Sequence, residues 1–470
     1  MIFFFKRFKI LIFSIFILTI GILLRHHQLN FEDYWFDEII SFWQSDPSIS
    51  FNQTLNRAKS LDGGTSLFFN IILKYFFYFF GYSPEIGRYV PFIFGILSIP
   101  LISYLSYLYF PSKINFLLTI FLTSFNWHLI SYSQETRLYS LYFLLSILSL
   151  IFFNKIGYKT ENKYRLKYSF FYILFTSLGI INHIFFLIII FSKLFFIFLN
   201  FFEDKRKSIF LLFNIFMSVG VYLLIMHEYL ISTISQTSLS WIKQVDLAFF
   251  TNFYFSRFFG SKIMGLLFLT CLIFLIIKFR KEILYKLNEI TLMFIIIFFA
   301  YSIPLTYSLI FKPILTDRYI CFVLIPILII ISIYTTRLSN KYLFLSFIFL
   351  LSSTSLINTY LEVFKRNNSK PEFSKALTVI MKSDIKDVYI KENPNANTII
   401  NYLKRMKLNT KDEINFFSDE LKMSKKNFWF LCYKPLYNFD CSMNNSLNNL
   451  YTIQQKDFKL LKLTAYSMKD

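Results

Sequence analysis

Apolar runs of membrane-spanning length recur along most of this chain, and that recurrence limits it to few folds. They lie near residues 10–24, 89–109, 114–130, 138–153, 168–182, 184–202, 208–227, 263–277, 290–310, 319–335 and 342–360. A helix needs about 20 mainly apolar residues to cross the hydrocarbon core of a bilayer. Only helices and closed barrels satisfy their backbone polar groups there. Long runs without strict alternation are read as helices, so the pattern predicts about eleven spans. Only 16% of the 470 residues are charged, while 55% are hydrophobic and 21% aromatic. Ordinary soluble domains carry about 25% charged residues. An ordinary soluble enzyme, a disordered chain, a collagen and a disulfide scaffold are thereby excluded. The net charge of +21 accompanies a general richness in Lys, Phe, Ile, Asn and Tyr, as an AT-rich genome produces. Its basic residues are scattered between apolar runs, which argues against nucleic acid and suits cytoplasmic loops facing anionic lipid.

Orientation follows from the basic residues. Lys6-Arg7-Phe8-Lys9 precedes the first run, and Arg25-His26-His27 follows it with no small-residue cleavage site, so the run reads as an uncleaved span. One further run, Leu67–Phe80, is short and contains Lys74. If it does not cross, the loops 154–167, 203–207, 278–289 and 336–341 all fall on the cytoplasmic side with their Lys and Arg, as the positive-inside rule requires. Leu67–Phe80 is then expected to lie along the outer interface as an amphipathic helix. The N-terminus is cytoplasmic in this multi-pass plasma (inner) membrane topology. Segments 25–88, 131–137, 228–262 and 311–318, the Asn182-His183 junction and the tail 362–470 face outward. That tail is polar, with Pro371, Pro394 and Pro435. Its pattern predicts strands at Asp387–Lys391 and Phe428–Tyr433 and a helix at Thr398–Lys407. We expect two domains, a transmembrane domain over 1–361 and a small extracytoplasmic α/β domain over 362–470. Cys432 and Cys441 are able to pair if that domain is outside the reducing cytoplasm.

The outward segments hold the unusual residues. Glu32-Asp33-Tyr34-Trp35-Phe36-Asp37-Glu38 places four carboxylates within seven positions, just after the first span. Ionisable groups near bilayer depth are costly, which makes them functional candidates, although a solvated juxtamembrane turn has the same composition. Ser131-Tyr132-Ser133-Gln134-Glu135-Thr136-Arg137-Leu138-Tyr139 puts an acid and a base two apart in a polar turn. They form either an ion pair or a ligand-orienting couple. Lys312-Pro313-Ile314-Leu315-Thr316-Asp317-Arg318-Tyr319 begins a span with a residue type whose planar fork suits phosphate. Snorkelling alone accounts for Lys312. His183 sits at an outer junction, where a lone histidine is often only hydrogen-bonded structure. There is no Walker loop, no Gly-rich dinucleotide turn and no Cys-x-x-Cys, and only 11 Gly in all. Energy for a reaction should therefore come from the substrate itself, as with an activated lipid donor.

Asp37-Glu38, then Phe80-Gly81-Tyr82-Ser83-Pro84-Glu85-Ile86-Gly87-Arg88, then Ser133-Gln134-Glu135-Thr136-Arg137-Leu138-Tyr139 resemble the GT-C membrane glycosyltransferases. The nearest branch is the Rgt-type group, within the superfamily of protein mannosyltransferases and lipid A aminoarabinose transferase. The resemblance is strongest over 30–155 and recurs from Lys312-Pro313 to Arg318-Tyr319. It implies an all-α polytopic protein that moves a sugar from a polyprenyl-phosphate carrier on the outer face. The acceptor would be a cell-envelope glycan, glycolipid or protein. In that reading Asp37 is the general base, Glu38 assists or orients it, and Glu135 shapes the catalytic pocket. Arg137, Lys312 and Arg318 hold the donor phosphate. Asp62, Tyr139, His183 and Tyr319 line the substrate pocket. Transfer would invert the anomeric centre, since no second carboxylate is placed as a nucleophile. The family commonly has a His-Pro-Pro-type run before the interfacial helix, where this chain has Asp62-Gly63-Gly64-Thr65-Ser66-Leu67. The sequence names no cofactor, and a divalent metal is compatible with its carboxylates. Two other readings stay open, a carrier or flippase of lipid-linked glycans and a non-catalytic component of an envelope assembly complex.

Overall fold

The computed structural model describes residues 2–62, 66–158, 162–235, 242, 244–285, 289–391, 396–406, 414–418, 427–434, 441 and 450–468. All eleven expected runs are helical. Among the described residues, six helices are long and apolar enough to cross a membrane: Pro84–Tyr109, Tyr139–Gly157, Lys205–His227, Lys262–Ile283, Glu289–Ile310 and Lys341–Phe364. Ile10–His26, Lys113–Ser124, Phe186–Leu199 and Cys321–Thr336 are shorter apolar helices, and so is Leu67–Phe80. The run 168–182 forms the second part of the helix Asn162–Asn182.

The chain divides into two compact units. The first contains the residues up to His27, Leu55–Phe69 and Pro91–Arg366. At its centre the helix Leu324–Thr336 is buried along almost its whole length, from Leu324 to Thr335. It packs against Lys113–Ser124, Lys262–Tyr285 and Glu289–Ile310. Its Ser332 hydroxyl donates to the Asn115 side chain at 2.8 Å and takes a bond from Thr119 at 2.9 Å. Such interhelical hydrogen bonds serve where hydrophobic contrast between helix and lipid is lost. The outer faces of the spans are apolar and open, as at Leu224, Ile263, Phe298 and Phe349.

The expected single span 114–130 is broken in two, into Lys113–Ser124 and Trp127–Tyr132. Asn126 is the reason. Its side chain accepts the Leu129 N–H at 3.0 Å and so starts a new helix, while its amide donates to Phe258 O. Buried Arg25 then satisfies the carbonyls left open at the end of the first piece, those of Thr123 and Ser124, at 3.0 and 3.1 Å.

The second unit contains Gln28–Thr54, Asn70–Val90 and Asn367–Asp470. The tail from Asn367 is thus grouped with Gln28–Thr54 and Asn70–Val90. Among the described residues its sheet has five strands, β1 (Asp387–Ile390), β2 (Asn415–Phe417), β3 (Asn427–Tyr433), β4 (Leu450–Phe458) and β5 (Leu461–Met468), in the order β2-β1-β3-β5-β4. β1 runs parallel to β2 and β3, while β5 is antiparallel to β3 and β4. The expected helix is present as Ala396–Arg405, and a second, Phe373–Met381, precedes the sheet. Cys432 and Cys441 are disulfide-bonded, with Cα atoms 5.8 Å apart, in a cluster with Tyr389, Phe428 and Phe430.

Candidate functional site

In the second unit the four clustered carboxylates have separate fates. Phe36–Gln44 is a helix with Trp35 at its N-cap, so Asp37 and Glu38 stand in the first turn, where the helix dipole favours negative charge. Glu38 is fully buried. Its Oε2 accepts from the Trp35 N–H at 3.2 Å and from Lys370 Nζ at 2.5 Å. Arg88 lies 3.8 Å from Oε1. Arg88 is itself fixed by the carbonyls of Leu29 and Asp33, at 2.8 and 3.3 Å, with its guanidinium 5.0 Å from the Tyr34 ring centroid. Glu32 accepts from the backbone and hydroxyl of Ser369, at 2.5 and 2.8 Å. Asp33 accepts from the backbone and hydroxyl of Ser374, at 2.7 and 2.9 Å. Burial raises the Asp33 carboxyl, against those two Ser374 bonds and the charge of Arg88. Three of the four carboxylates therefore hold the segment 369–374. Asp37 is half-buried, close enough to Tyr433 on β3 for its charge to help raise that phenol, after burial.

The surroundings of this turn are aromatic and tightly fitted. Tyr34 stacks on Tyr402 at 5.3 Å, and Phe42 stacks on Tyr82 at 4.2 Å. The Tyr402 hydroxyl accepts the Tyr34 N–H at 3.0 Å, and the Tyr34 hydroxyl donates to Pro84 O at 2.6 Å. A Cβ at Gly87 would come within 2.6 Å of that Tyr34 hydroxyl, which accounts for a glycine there.

In the first unit the polar turn after the helix Trp127–Tyr132 is held by Gln134. Its amide donates to the carbonyls of Arg25 and His27, at 2.9 and 2.8 Å, and its oxygen accepts from Arg366 at 2.7 Å. Glu135 and Arg137, flanking Thr136, have different surroundings. Glu135 lines a cavity of about 340 Å³ together with Trp127, Tyr132, Arg257, Asp317 and Arg318. Arg257 pairs with Asp317 at 2.9 Å. Burial works against the ionised form of Asp317, but His128, Arg257 and Arg318 outweigh it and hold the carboxyl below its usual range.

Arg257 sits on an unusual backbone. Phe253 and Tyr254 both have positive φ, 47° and 62°, a conformation that costs about 1–3 kcal/mol each and persists where the surroundings over-determine it. Here the Tyr254 hydroxyl donates to Leu315 O at 3.2 Å and Tyr301 donates to Phe253 O at 2.7 Å. Gly260, with φ of 88°, lies so close to the Asn358 side chain that no Cβ fits.

Arg137 instead faces His183. Burial, and then the charge of Arg137, push the His183 imidazole down to about 3. His183 Nδ1 accepts the Phe185 N–H at 3.1 Å, which leaves the ring proton on Nε2. The ring stacks on Tyr142 at 4.8 Å and lies 5.0 Å from Tyr319 and 6.4 Å from Tyr139. The sequence-predicted Tyr139, His183 and Tyr319 are thus brought together with Arg137. Lys312 is half-buried and is not part of the cavity lining. Asp62 ends the helix Phe51–Asp62, and its side chain lies outside the described residues. Among the described residues, no three His, Cys, Asp or Glu side chains are gathered as they would be around a metal ion.

Sequence reasoning singled out neither Arg257 nor Lys370. Each stands in a stretch without a recognisable motif, and its partner is 60 or 332 residues away in the chain. Asp317 lay inside a quoted motif, beside Arg318, without an assigned role.

No protein-family model and no curated protein sequence matches the chain. Solved structures do. ArnT from Cupriavidus metallidurans in the apo state is similar with a TM-score of 0.61 and 10% identity, over 98% of both chains. The same protein bound to undecaprenyl phosphate gives 0.57 and 11%, over 97% of this chain and 98% of that one. The archaeal oligosaccharyltransferase AglB from Archaeoglobus fulgidus, in complex with an inhibitory peptide and a dolichol-phosphate, gives 0.54 and 11%. That match covers 86% of this chain and 64% of AglB, so this chain spans just under two thirds of the oligosaccharyltransferase. The chain has a polytopic helical fold like that of ArnT.

Proposed function

We propose that this chain is a membrane glycosyltransferase that takes a sugar from a polyprenyl-phosphate carrier and gives it to a cell-envelope glycan, glycolipid or protein on the outer face. The observation that carries the reading is the cavity of the first unit, where two guanidinium groups, Arg257 and Arg318, share the lining with two carboxylates, Glu135 and Asp317, the latter paired with Arg257. Two guanidinium groups suit a phosphate better than a neutral sugar, because charge-assisted donors in a fork match its oxygens. The ArnT structure with undecaprenyl phosphate and the AglB structure with dolichol-phosphate support a lipid-phosphate donor for this fold. The disulfide Cys432–Cys441 supports an extracytoplasmic second unit, since such bonds persist in oxidising compartments.

In this reading Asp37 takes the proton of the acceptor hydroxyl. The freed oxygen attacks the anomeric carbon, the bond from that carbon to the phosphate oxygen breaks, and the polyprenyl phosphate leaves with the electron pair. One displacement inverts the centre. General-base help of this kind contributes about 10²–10⁴-fold. Arg257 and Arg318 stabilise the charge that develops on the leaving phosphate. Arg137, with Tyr139, His183 and Tyr319, forms a neutral aromatic wall with one cation, suited to the rest of the donor. The test is binding of polyprenyl phosphate to the purified chain in nanodiscs. Arg318→Gln or Arg257→Gln should each weaken it about tenfold or more, the equivalent of about 1.4 kcal/mol. Unchanged affinity in both variants would remove the phosphate site from this cavity.

A further inference from the structure

The four-carboxylate cluster offers more than a base. We infer that Lys370, in the segment that leads into the C-terminal sheet, is a positioning residue that fixes the first turn of the Asp37 helix through Glu38. This rests on the reading of Asp37 as the base. Glu38 Oε2 is shared between the Trp35 N–H, at the helix N-cap, and Lys370 Nζ, at 3.2 and 2.5 Å. The ammonium thus holds the same oxygen that caps the helix one residue from Asp37. Lys370 is 2% exposed and Glu38 fully buried, so solvent does not compete for either partner. The second cation, Arg88, lies 3.8 Å away and is already committed to two carbonyls. Those carbonyls take its two terminal nitrogens, and its Nε, the atom nearest Glu38, lies too far from Oε1 for a hydrogen bond.

Lys370 is itself placed by its neighbours. Its N–H donates to Asn368 Oδ1 at 3.1 Å, Glu32 clamps Ser369, and Asp33 clamps Ser374 at the start of the helix Phe373–Met381. Glu32, Asp33 and Glu38 therefore lay one short stretch of the tail across the turn that carries Asp37. Proton transfer depends on placement within a fraction of an ångström, and small displacements from a supporting contact cost on the order of 10²-fold in rate. The sheet region thereby acts on the reaction without touching substrate.

The test uses the full chain in nanodiscs, with Lys370→Met, Lys370→Arg and Lys375→Met. Lys375 is an exposed lysine on the neighbouring helix and pairs with Glu372. Two readouts are taken together, hydrogen exchange of the Glu38 and Ile39 amides, which bond to Trp35 O, and steady-state sugar transfer. Lys370→Met should speed exchange at those amides about tenfold or more and lower kcat by a similar factor, with KM for the polyprenyl-phosphate sugar within about twofold. Lys370→Arg should restore most of both, and Lys375→Met should change neither. Wild-type exchange at Glu38 and Ile39 in Lys370→Met would overturn the inference, whatever the activity. So would faster exchange with unchanged kcat. If wild type transfers no sugar, the functional reading fails, and the exchange readout still decides whether Lys370 holds the turn.

Discussion

Neutralising Glu38 is the sharpest perturbation of the second unit. Glu38→Gln keeps an oxygen to cap the helix but strands Lys370 and Arg88, whose side chains are 2% and 4% exposed. A unit pair near 4 Å is worth about 4 kcal/mol at an effective dielectric of about 20, and the two cations here lie at 2.5 and 3.8 Å. Most of that gross attraction offsets desolvation. Removing one partner of such a buried group costs about 3–5 kcal/mol, and here Glu32 and Asp33 still offset part of the Arg88 charge. Adding Lys370→Met to Glu38→Gln removes one stranded cation, so the double variant should recover about 1–3 kcal/mol of the loss. Pulse proteolysis in nanodiscs across a urea series, read on fragments containing Asn367–Asp470, measures the opening free energy. Strict additivity of the two substitutions would refute the coupling. A cost below about 1 kcal/mol for Glu38→Gln, the size of an exposed bridge, would show that the cluster is not buried as described.

Three further outcomes are expected. His183, held near 3 by burial and Arg137, is neutral throughout the range from about pH 5 to 8 in which an ordinary histidine titrates. His183→Gln should therefore leave the shape of the pH–rate profile there unchanged, and loss of an ionisation in that window would contradict the burial. Asp317 is a carboxylate with a lowered value, so its contribution to stability is present above its unfolded pKa, about 3.9, and disappears as pH falls through the lower folded value. Asp317→Asn should remove that acid-side dependence, and an unchanged acid unfolding profile would refute the pairing with Arg257. Reporter fusions within 155–167 should read cytoplasmic and fusions after Lys370 extracytoplasmic, with Cys432 and Cys441 resisting alkylation until reduced. The opposite pattern would invert the topology.

The sequence made the membrane fold legible because apolar length is a one-dimensional signal. Ser332, Thr119 and Asn115 show what it misses, since their hydrogen bonds join helices more than 200 residues apart. The break at Asn126 was hidden because the residues on both sides stay apolar, and a single side-chain cap decides it. The hairpin of β4 and β5 was also not expected. β4 is an edge strand with Tyr451 and Ile453 exposed, so it lacks the alternation that a half-buried strand displays. At the site, composition located the four carboxylates but did not separate them. Glu32, Asp33 and Glu38 are distinguished from Asp37 by partners at 369, 370 and 374, and a contact across more than 300 residues leaves no local trace. Arg257 escaped for the same reason, whereas Tyr139 and Tyr319 stood in the quoted motifs and His183 at a helix junction, and the two tyrosine rings lie near that imidazole.

The most direct measurement is release of polyprenyl phosphate from a panel of polyprenyl-phosphate sugars by the chain in nanodiscs, with envelope extract as acceptor source. Wild type and Asp37→Asn are run side by side. A glycosyltransferase with Asp37 as its base releases the lipid phosphate in the wild type. In Asp37→Asn release falls by about 10²-fold or more while the donor still binds. Release at the wild-type rate by Asp37→Asn would contradict the assignment of the base. Binding without release by the wild type itself would contradict the transferase and point to a carrier.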